Sequence, residues 1–545
     1  MYRILVTDDV DRDGLALLAA DPRLRVDEVP TLPPAALLER IGDYDAIVGR
    51  SATKISPELL EAGKRLKVVG RAGVGVDNVA MDVATTLGVA VINAPAGNTV
   101  AVAELFFGAV LGLLRELPRA HDAMRAGRWD RGSFLGAELK GRTIGIVGLG
   151  RIGGEIAARA HAFGAEVVAF DPYVADARFT ALRVRRAATL DALAEEADVL
   201  TVHTPLTDET KGLVGRRELA RLKPGSIVVN MARGGIIDEA ALTAVLEHGL
   251  PGGGALRGAV LDVYTSEPPA PDHPLRALPN VFLTPHLGAN TAEAQRNVAV
   301  DVCAAVRDAL VSGELSRSMN VAGAGYPGAD GAGGSWAALG PAMLVARRAA
   351  AVARAVLADL GVRAVQRLTV RTGAGLAAAR EALLGAAALG AVEGVVEQER
   401  LNLINARAVA ASRGLELAVG ESGALAPNAV EVSLRGAMQE LTVAGVAPAD
   451  GGPRLTRIGA YPVDVNPRQT LLVLTNRDVP GVIGRVGTLL GHAGVNIAEY
   501  HQARLAQGGE ALAVVAVDGV VSEAVREALR DLPEVHGAAV AAWRG

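Results

Sequence analysis

The sequence predicts an α/β protein with two doubly wound parallel-sheet units, the first of them discontinuous, followed by an α+β unit and a ferredoxin-like unit. Three observations predict it. Short apolar runs alternate with helical patterns through the first half of the chain, as parallel sheets with crossover helices require. A glycine turn between a strand and a helix, Gly148-Leu149-Gly150-Arg151-Ile152-Gly153, falls about a quarter of the way along, so another unit is built before it. The last stretch alternates β-α-β-β-α-β.

The chain has 545 residues, half of them apolar, and a net charge of -5. That length implies several domains. The composition excludes a disordered chain and offers no basic surface for nucleic acid. Cys303 is the only cysteine, so no internal disulfide forms and the residue reads as a small buried side chain. The first residues read as a strand rather than a signal peptide, and no apolar stretch reaches about 18 residues without a charge. A cytoplasmic protein without a membrane segment is the expectation.

In order along the chain, apolar runs at Ile4 to Val6, Ala46 to Val48, Val68 to Val69 and Val89 to Ile92 are the first strands, with a helix at Pro57 to Ala62 between two of them. A long helix follows from about Val100 to Leu117. The strand Thr143 to Val147 enters the glycine turn, and runs at Val167 to Phe170, Val199 to His203, Ser226 to Asn230, Ala259 to Val263 and Val281 to Thr284 continue the second sheet. A helix at about Thr291 to Val311 carries the chain back to the first unit. These readings divide the chain into residues 1–98 with 287–318, 99–286, a glycine-rich linker at 319–334, an intervening unit at 335–466 and a terminal unit at 469–545. In the terminal unit the strands are Leu471 to Thr475, Val495 to Arg504, Ala511 to Asp518 and Val535 to Trp543.

With 64 glycines, a bare G-x-G-x-x-G carries little weight. Gly323-Ala324-Gly325-Tyr326-Pro327-Gly328 also matches, but Pro327 and the following glycines leave no helix to receive a phosphate. At Gly148 a strand precedes, a helix follows, and Asp171 ends the next strand. Gly148 makes the tight turn, Gly150 lets backbone approach a pyrophosphate, and Gly153 lets helix pack on strand. The helix N-terminus faces the anion. Asp171 there accepts ribose hydroxyls and repels a 2'-phosphate, which favours NAD over NADP.

Three further strand ends carry polar residues: Asn230 to Gly235 with Arg233, Leu261 to Pro268 with Asp262 and Glu267, and Leu283 to Gly288 with His286. Ligand crevices of open α/β sheets lie outside such carboxyl ends. A histidine exchanges a proton near neutral pH, a carboxylate fixes its tautomer, and an arginine fork binds a carboxylate. Singly, each has a structural explanation. Arg233 also fits a surface ion pair and His286 a satisfied half-buried histidine.

Together with Gly70 to Asn78 and His203-Thr204-Pro205-Leu206-Thr207, these segments resemble the D-2-hydroxyacid dehydrogenases, over roughly residues 45 to 320, and within them the long branch that oxidises 3-phosphoglycerate. The resemblance implies that Arg233 holds the substrate carboxylate and carbonyl, that His286 exchanges the hydroxyl proton, and that Glu267 orients His286. It places Gly148, Gly150, Arg151, Ile152, Gly153, Asp171, Thr204, Ala232, Asp262 and Gly288 around NAD, and Arg50, Ser51, Arg71 and Gly73 at the substrate. Arg128 and Arg131 are further candidate cations. A glyoxylate or hydroxypyruvate reductase, and an NAD-sensing corepressor, share parts of this pattern.

Asn476 to Gly487, followed by Val495-Asn496-Ile497, resembles the start of an ACT regulatory domain. The resemblance implies pairing between subunits, a homotetramer, and an amino-acid effector, L-serine in this branch, held by Asn476, Asp478 and Asn496. Turn chemistry alone also accounts for Asp478-Val479-Pro480-Gly481. Leu401 to Ala406 resembles the intervening domain of the long form, where Arg454 and Arg457 are candidates for an anion site.

Overall fold

The computed structural model describes residues 1–321, 336–362, 364–394, 400–420, 425–448 and 452–542. Four sheets follow one another along the chain. The first is parallel, with β1 (Tyr2–Val6), β2 (Leu24–Glu28), β3 (Ala46–Gly49), β4 (Val68–Arg71) and β5 (Ala90–Ile92) in the order β2-β1-β3-β4-β5. Its switch point lies between β1 and β3, where loops leave the strand ends in opposite directions and open a crevice. The central strands are short buried apolar runs. The sequence reading missed β2, because Leu24-Arg25-Val26-Asp27-Glu28 is a charged edge strand with a single fully buried side chain, as edges commonly are.

Helix Ala292–Ser312 returns to this sheet after the second unit. It approaches so closely that a Cβ on Gly14 would lie 2.7 Å from the Ala299 backbone, and one on Gly70 2.7 Å from Val306. Cys303 is buried in that contact, which pushes its thiol up to about 12. The first sheet holds on to the chain slightly longer than expected. Met319 N–H donates to Val91 O at 2.8 Å and Val91 N–H to Asn320 Oδ1 at 3.0 Å, so the predicted linker at 319 starts too early. The rest of that linker, with the second glycine match at 323–328, lies outside the described residues.

The second sheet is also parallel: β6 (Thr143–Val147), β7 (Glu166–Phe170), β8 (Arg185–Arg186), β9 (Val199–Val202), β10 (Ile227–Asn230), β11 (Gly258–Leu261) and β12 (Val281–Leu283), in the order β12-β11-β10-β9-β6-β7-β8. This is the dinucleotide-binding order with its switch point between β6 and β9. The long helix before it ends at Leu114, not Leu117, and a second helix spans Leu117–Arg125. Pro118 is the reason: its ring has no N–H to donate and would clash with the carbonyl of Leu114 in a continuous helix. Glu116 turns the chain with φ of 54°.

The third sheet is mixed, with β13 (Val365–Thr372), β14 (Glu416–Gly420), β15 (Ala429–Gly436), β16 (Glu440–Val446), β17 (Arg454–Ile458) and β18 (Tyr461–Val465) in the order β14-β13-β15-β16-β17-β18. Helix Trp336–Asp359 packs on β15 and β16. The helical stretch Ala374–Val392 is long and apolar enough to cross a membrane by length and composition, yet it is mostly buried within the protein. The segment at 400–405 docks this unit onto the first: Asn402 Nδ2 donates to Gly88 O at 2.8 Å and Arg400 to Leu66 O at 2.9 Å.

The fourth sheet is antiparallel, with β19 (Thr470–Arg477), β20 (Ile497–Arg504), β21 (Glu510–Val517) and β22 (Val535–Ala541) in the order β20-β21-β19-β22. Helices Val482–His492 and Glu523–Arg530 cover one face, the ferredoxin-like arrangement. The expected strand end at Trp543 lies outside the described residues.

Candidate active site

At the end of β6 each turn glycine meets a different constraint. Gly148 has φ of 92°, and a Cβ there would sit 2.8 Å from His203 O. Gly150 precedes helix Arg151–Ala162, and a Cβ on it would meet nothing within 4 Å. A Cβ on Gly153 would run into Gly148 O. The middle glycine therefore leaves space for a ligand while the outer two serve the fold.

Asp171 directly follows β7, and its carboxylate accepts from Leu149 N–H at 2.9 Å, Tyr173 N–H at 2.9 Å and Val174 N–H at 3.2 Å. A carboxylate offers about four acceptor sites, so the turn takes most of them and leaves room for a hydroxyl. Arg151, Ile152, Thr204, Ala232, Asp262 and Gly288 line one cavity of about 480 Å³ beside the turn. His203 lies in its wall. Burial pushes that imidazole down to about 3, so it is neutral, and its Nε2 meets Thr201 Oγ1 at 2.9 Å. His203 Nδ1, Thr204 Oγ1 and Asn98 Oδ1 are buried without a partner. Orphaned polar atoms around an open glycine turn fit a polar dinucleotide, which would satisfy them.

Asp262 is fully buried, and its carboxylate accepts from Thr284 Oγ1 at 2.6 Å, Leu287 N–H at 2.7 Å and Gly288 N–H at 2.8 Å. It ties down the chain on both sides of His286. His286 itself has φ of 56°, and its N–H donates to Asp262 O at 2.9 Å. Its Nδ1 lies 2.7 Å from Glu267 Oε2, which leaves Nε2 as the nitrogen available to a substrate. Glu267 Oε1 accepts from Tyr264 N–H at 3.1 Å, and the Tyr264 hydroxyl donates to Thr284 O at 2.9 Å. Burial pushes that phenol up to about 12, keeping it a donor.

Arg233 follows β10. Asn230 shapes its turn, donating Nδ2 to Arg233 O at 2.9 Å and accepting from Ala232 N–H at 3.1 Å. The guanidinium crosses to the first unit, where Nε donates to Asp77 Oδ2 at 3.0 Å. It passes close over Gly75, where any Cβ would collide with Nη2. Arg71, at the end of β4, uses Gly73 in the same way. Burial, then Arg233 and Arg50, pushes the Arg71 guanidinium down to about 10. Its Nε is buried without a partner, so an anion arriving there relieves both repulsion and lost solvation.

Arg50 follows β3 on a loop held by Asp8. That carboxylate accepts from Arg50 N–H at 2.8 Å and Thr53 N–H at 2.9 Å, and Asn78 Nδ2 donates to Arg50 O at 3.1 Å. Arg50, Ser51, Arg71, Gly73, Arg233 and His286 line a second cavity of about 490 Å³, which Glu267 also borders. Arg233 and His286 border both cavities. One side of the cleft thus gathers cations and the other is an open cavity beside the glycine turn, with a histidine–carboxylate pair between them.

The sequence reading missed Asp8, Asp77, Asn78, Asn230 and Tyr264. Asp8 and Asn230 stand at the ends of β1 and β10, where the strand-end rule finds them. Asn78 and Tyr264 act through backbone contacts and Asp77 through its ion pair with Arg233, none of which a pattern shows. Arg128 and Arg131 line neither cavity. Arg454 and Arg457 are engaged otherwise: Arg454 pairs with Asp464 and Glu499, each at 2.6 Å, and Arg457 with Glu431. They make no open anion site.

In the fourth sheet the candidate effector residues do not come together within one chain. Asp478 accepts from Arg504 and from Gly508 N–H, each at 3.1 Å, and both contacts hold its carboxyl below the usual range. Asn476 is buried, with Nδ2 on Arg477 O at 2.8 Å. Asn496 Nδ2 donates to Asp518 Oδ2 at 2.7 Å. Gly508 and Asp518 lie beyond opposite ends of β21, a strand eight residues long, so Asp478 and Asn496 stand roughly 25–30 Å apart at about 3.3 Å per residue.

The profile of the D-isomer specific 2-hydroxyacid dehydrogenase NAD-binding domain matches residues 107–288, and that of the ACT domain matches residues 470–534. D-3-phosphoglycerate dehydrogenase of Bacillus subtilis is 36% identical over 98% of this chain and 98% of its own length. The Mycobacterium tuberculosis enzyme of the same name is 37% identical over 96% of each chain. A glyoxylate reductase from Paecilomyes thermophila superposes with a TM-score of 0.53 at 30% identity, covering 58% of this chain and 98% of its own. D-lactate dehydrogenase from Aquifex aeolicus, complexed with NAD and lactic acid, gives a TM-score of 0.51 at 26% identity, covering 58% of this chain and 97% of its own.

Proposed function

Because the chain belongs to the D-3-phosphoglycerate dehydrogenases, we infer that its cleft oxidises 3-phospho-D-glycerate to 3-phosphohydroxypyruvate, the first step of phosphorylated L-serine synthesis. The observation that carries this reading is the convergence of Arg50, Arg71 and Arg233 on the cavity that His286 and Glu267 border. A nicotinamide dinucleotide, when bound, supplies the acceptor for the hydride leaving C2. Arg233 binds the substrate carboxylate with its planar fork and steadies the developing carbonyl. His286 takes the hydroxyl proton at Nε2, because Glu267 occupies Nδ1 and stabilises the imidazolium that forms. Arg50 and Arg71 take the phosphate. Asp171 receives the ribose hydroxyls and disfavours a 2'-phosphate, so the cofactor is NAD.

Residues 1–98 with 287–320 act as the substrate-binding unit and 99–286 as the dinucleotide unit, followed by the intervening unit and the ACT unit from 469. Exposed Trp129 and Leu135 favour self-association, which we read as a homotetramer. The ACT unit supports inhibition by L-serine. The test is reduction of phosphohydroxypyruvate and of hydroxypyruvate with NADH and NADPH, each with and without L-serine. Preference for the phosphorylated acid and NADH is expected; faster turnover of unphosphorylated hydroxypyruvate would overturn the substrate assignment.

A further inference from the structure

The glycine turn is braced from outside by a residue that none of its motif positions includes. Arg178, on helix Asp176–Leu182 after β7, donates Nε to Leu149 O and Nη2 to Gly150 O, each at 2.7 Å. Two successive carbonyls of the turn are therefore held by one fork. The fork rests against Gly154: a Cβ there would stand 2.9 Å from Arg178 Nη2, so the guanidinium would have to shift. Asp176, the acid nearest in sequence, pairs with Arg186, which also donates to Asp171 O at 3.1 Å.

In a trans peptide the C=O and the following N–H point in opposite directions. With the carbonyls of Leu149 and Gly150 turned to the guanidinium, the N–H groups of Gly150 and Arg151 are turned away from it. The Gly150 carbonyl is also committed to the helix, accepting from Gly154 N–H at 3.0 Å, whereas the Leu149 carbonyl, held by Arg178 Nε, would otherwise be free to face an incoming anion and repel it. Its dipole is instead balanced by a fixed positive charge.

We propose that Arg178 is a positioning residue for the dinucleotide pyrophosphate, locking the Leu149 peptide in the anion-receiving orientation and reinforcing the Gly150 peptide that the helix already turns, with Gly154 leaving room for its fork. The proposal rests on reading this turn as the cofactor site. Titrating the full-length protein with ADP-ribose by calorimetry tests it without turnover. R178Q and G154A are each expected to weaken ADP-ribose by about tenfold, the scale of one charge-assisted hydrogen bond. Because both act through one contact, the double variant is expected to bind no more weakly than R178Q.

A purely structural role would lower melting temperature together with binding. G154A separates the two, since alanine in a helix interior raises helix stability while displacing the fork. Its melting temperature is expected to hold or rise as its affinity falls. Unchanged affinity in R178Q, or multiplied losses in the double variant, would overturn the proposal. A wild-type protein that does not bind ADP-ribose would overturn the cofactor reading instead.

Discussion

The two ligand regions of this chain use strand ends in opposite ways. In the parallel sheets every strand delivers its carboxyl end to the same edge, so residues far apart in sequence, Arg50, Arg71, Arg233 and His286, meet at one cavity. In the antiparallel terminal sheet β19 and β20 both pair with β21 and therefore run in the same direction. Asp478 follows the end of β19 and Asn496 precedes the start of β20, so they face opposite ends. Parallel topology assembles a site within one chain; the antiparallel unit keeps its candidate effector residues apart, so the pairing between subunits that the resemblance implies would be needed to complete a site.

The comparison breaks most sharply at His286. His286→Ala is expected to lower turnover by roughly 10²–10⁴-fold, the range for a lost general acid–base, with NADH affinity, read by fluorescence titration, nearly unchanged. Near-normal turnover would remove the histidine from the chemistry. Gly73→Ala comes next, because its Cβ takes the place of the Arg71 guanidinium. KM for phosphohydroxypyruvate should rise about a hundredfold, as for a lost buried ion pair, and KM for hydroxypyruvate much less. Equal changes for both would show that Arg71 does not read the phosphate.

Asp171→Ala should weaken both dinucleotides, since the side chain braces Leu149, and cut the NADH-over-NADPH preference by about tenfold, the worth of one charged contact. A preserved ratio would assign Asp171 to the turn alone. The smallest effects belong to the terminal unit. Asp478→Ala and Asn496→Ala are each expected to reduce L-serine inhibition severalfold. Co-assembled subunits of the two variants should regain part of it, because one intact interface site re-forms. No recovery would end the two-copy reading.

Legibility followed topology. Parallel-sheet strands were visible as short apolar runs because both faces are buried, and their polar ends marked the cleft. The edge strand Leu24–Glu28 was not, since solvent accepts its charges. The early end of the helix at Leu114 was readable from Pro118, whereas the continuation of the first sheet to Asn320 depends on long-range hydrogen bonds. Asp262 was placed at the cofactor by the family resemblance, and it does line that cavity. The fold gives its carboxylate to the loop carrying His286.

By itself, then, the sequence determined the order of units, the glycine turn and the residue types of the chemistry, because each is local: a run, a spacing, a strand end. The tertiary structure decided which of those groups meet. It put glycine under the guanidinium groups of Arg71, Arg178 and Arg233, set Glu267 against His286, and kept Asp478 and Asn496 apart. Such pairings depend on sheet order and on close backbone approach, and neither is written in any short stretch of chain.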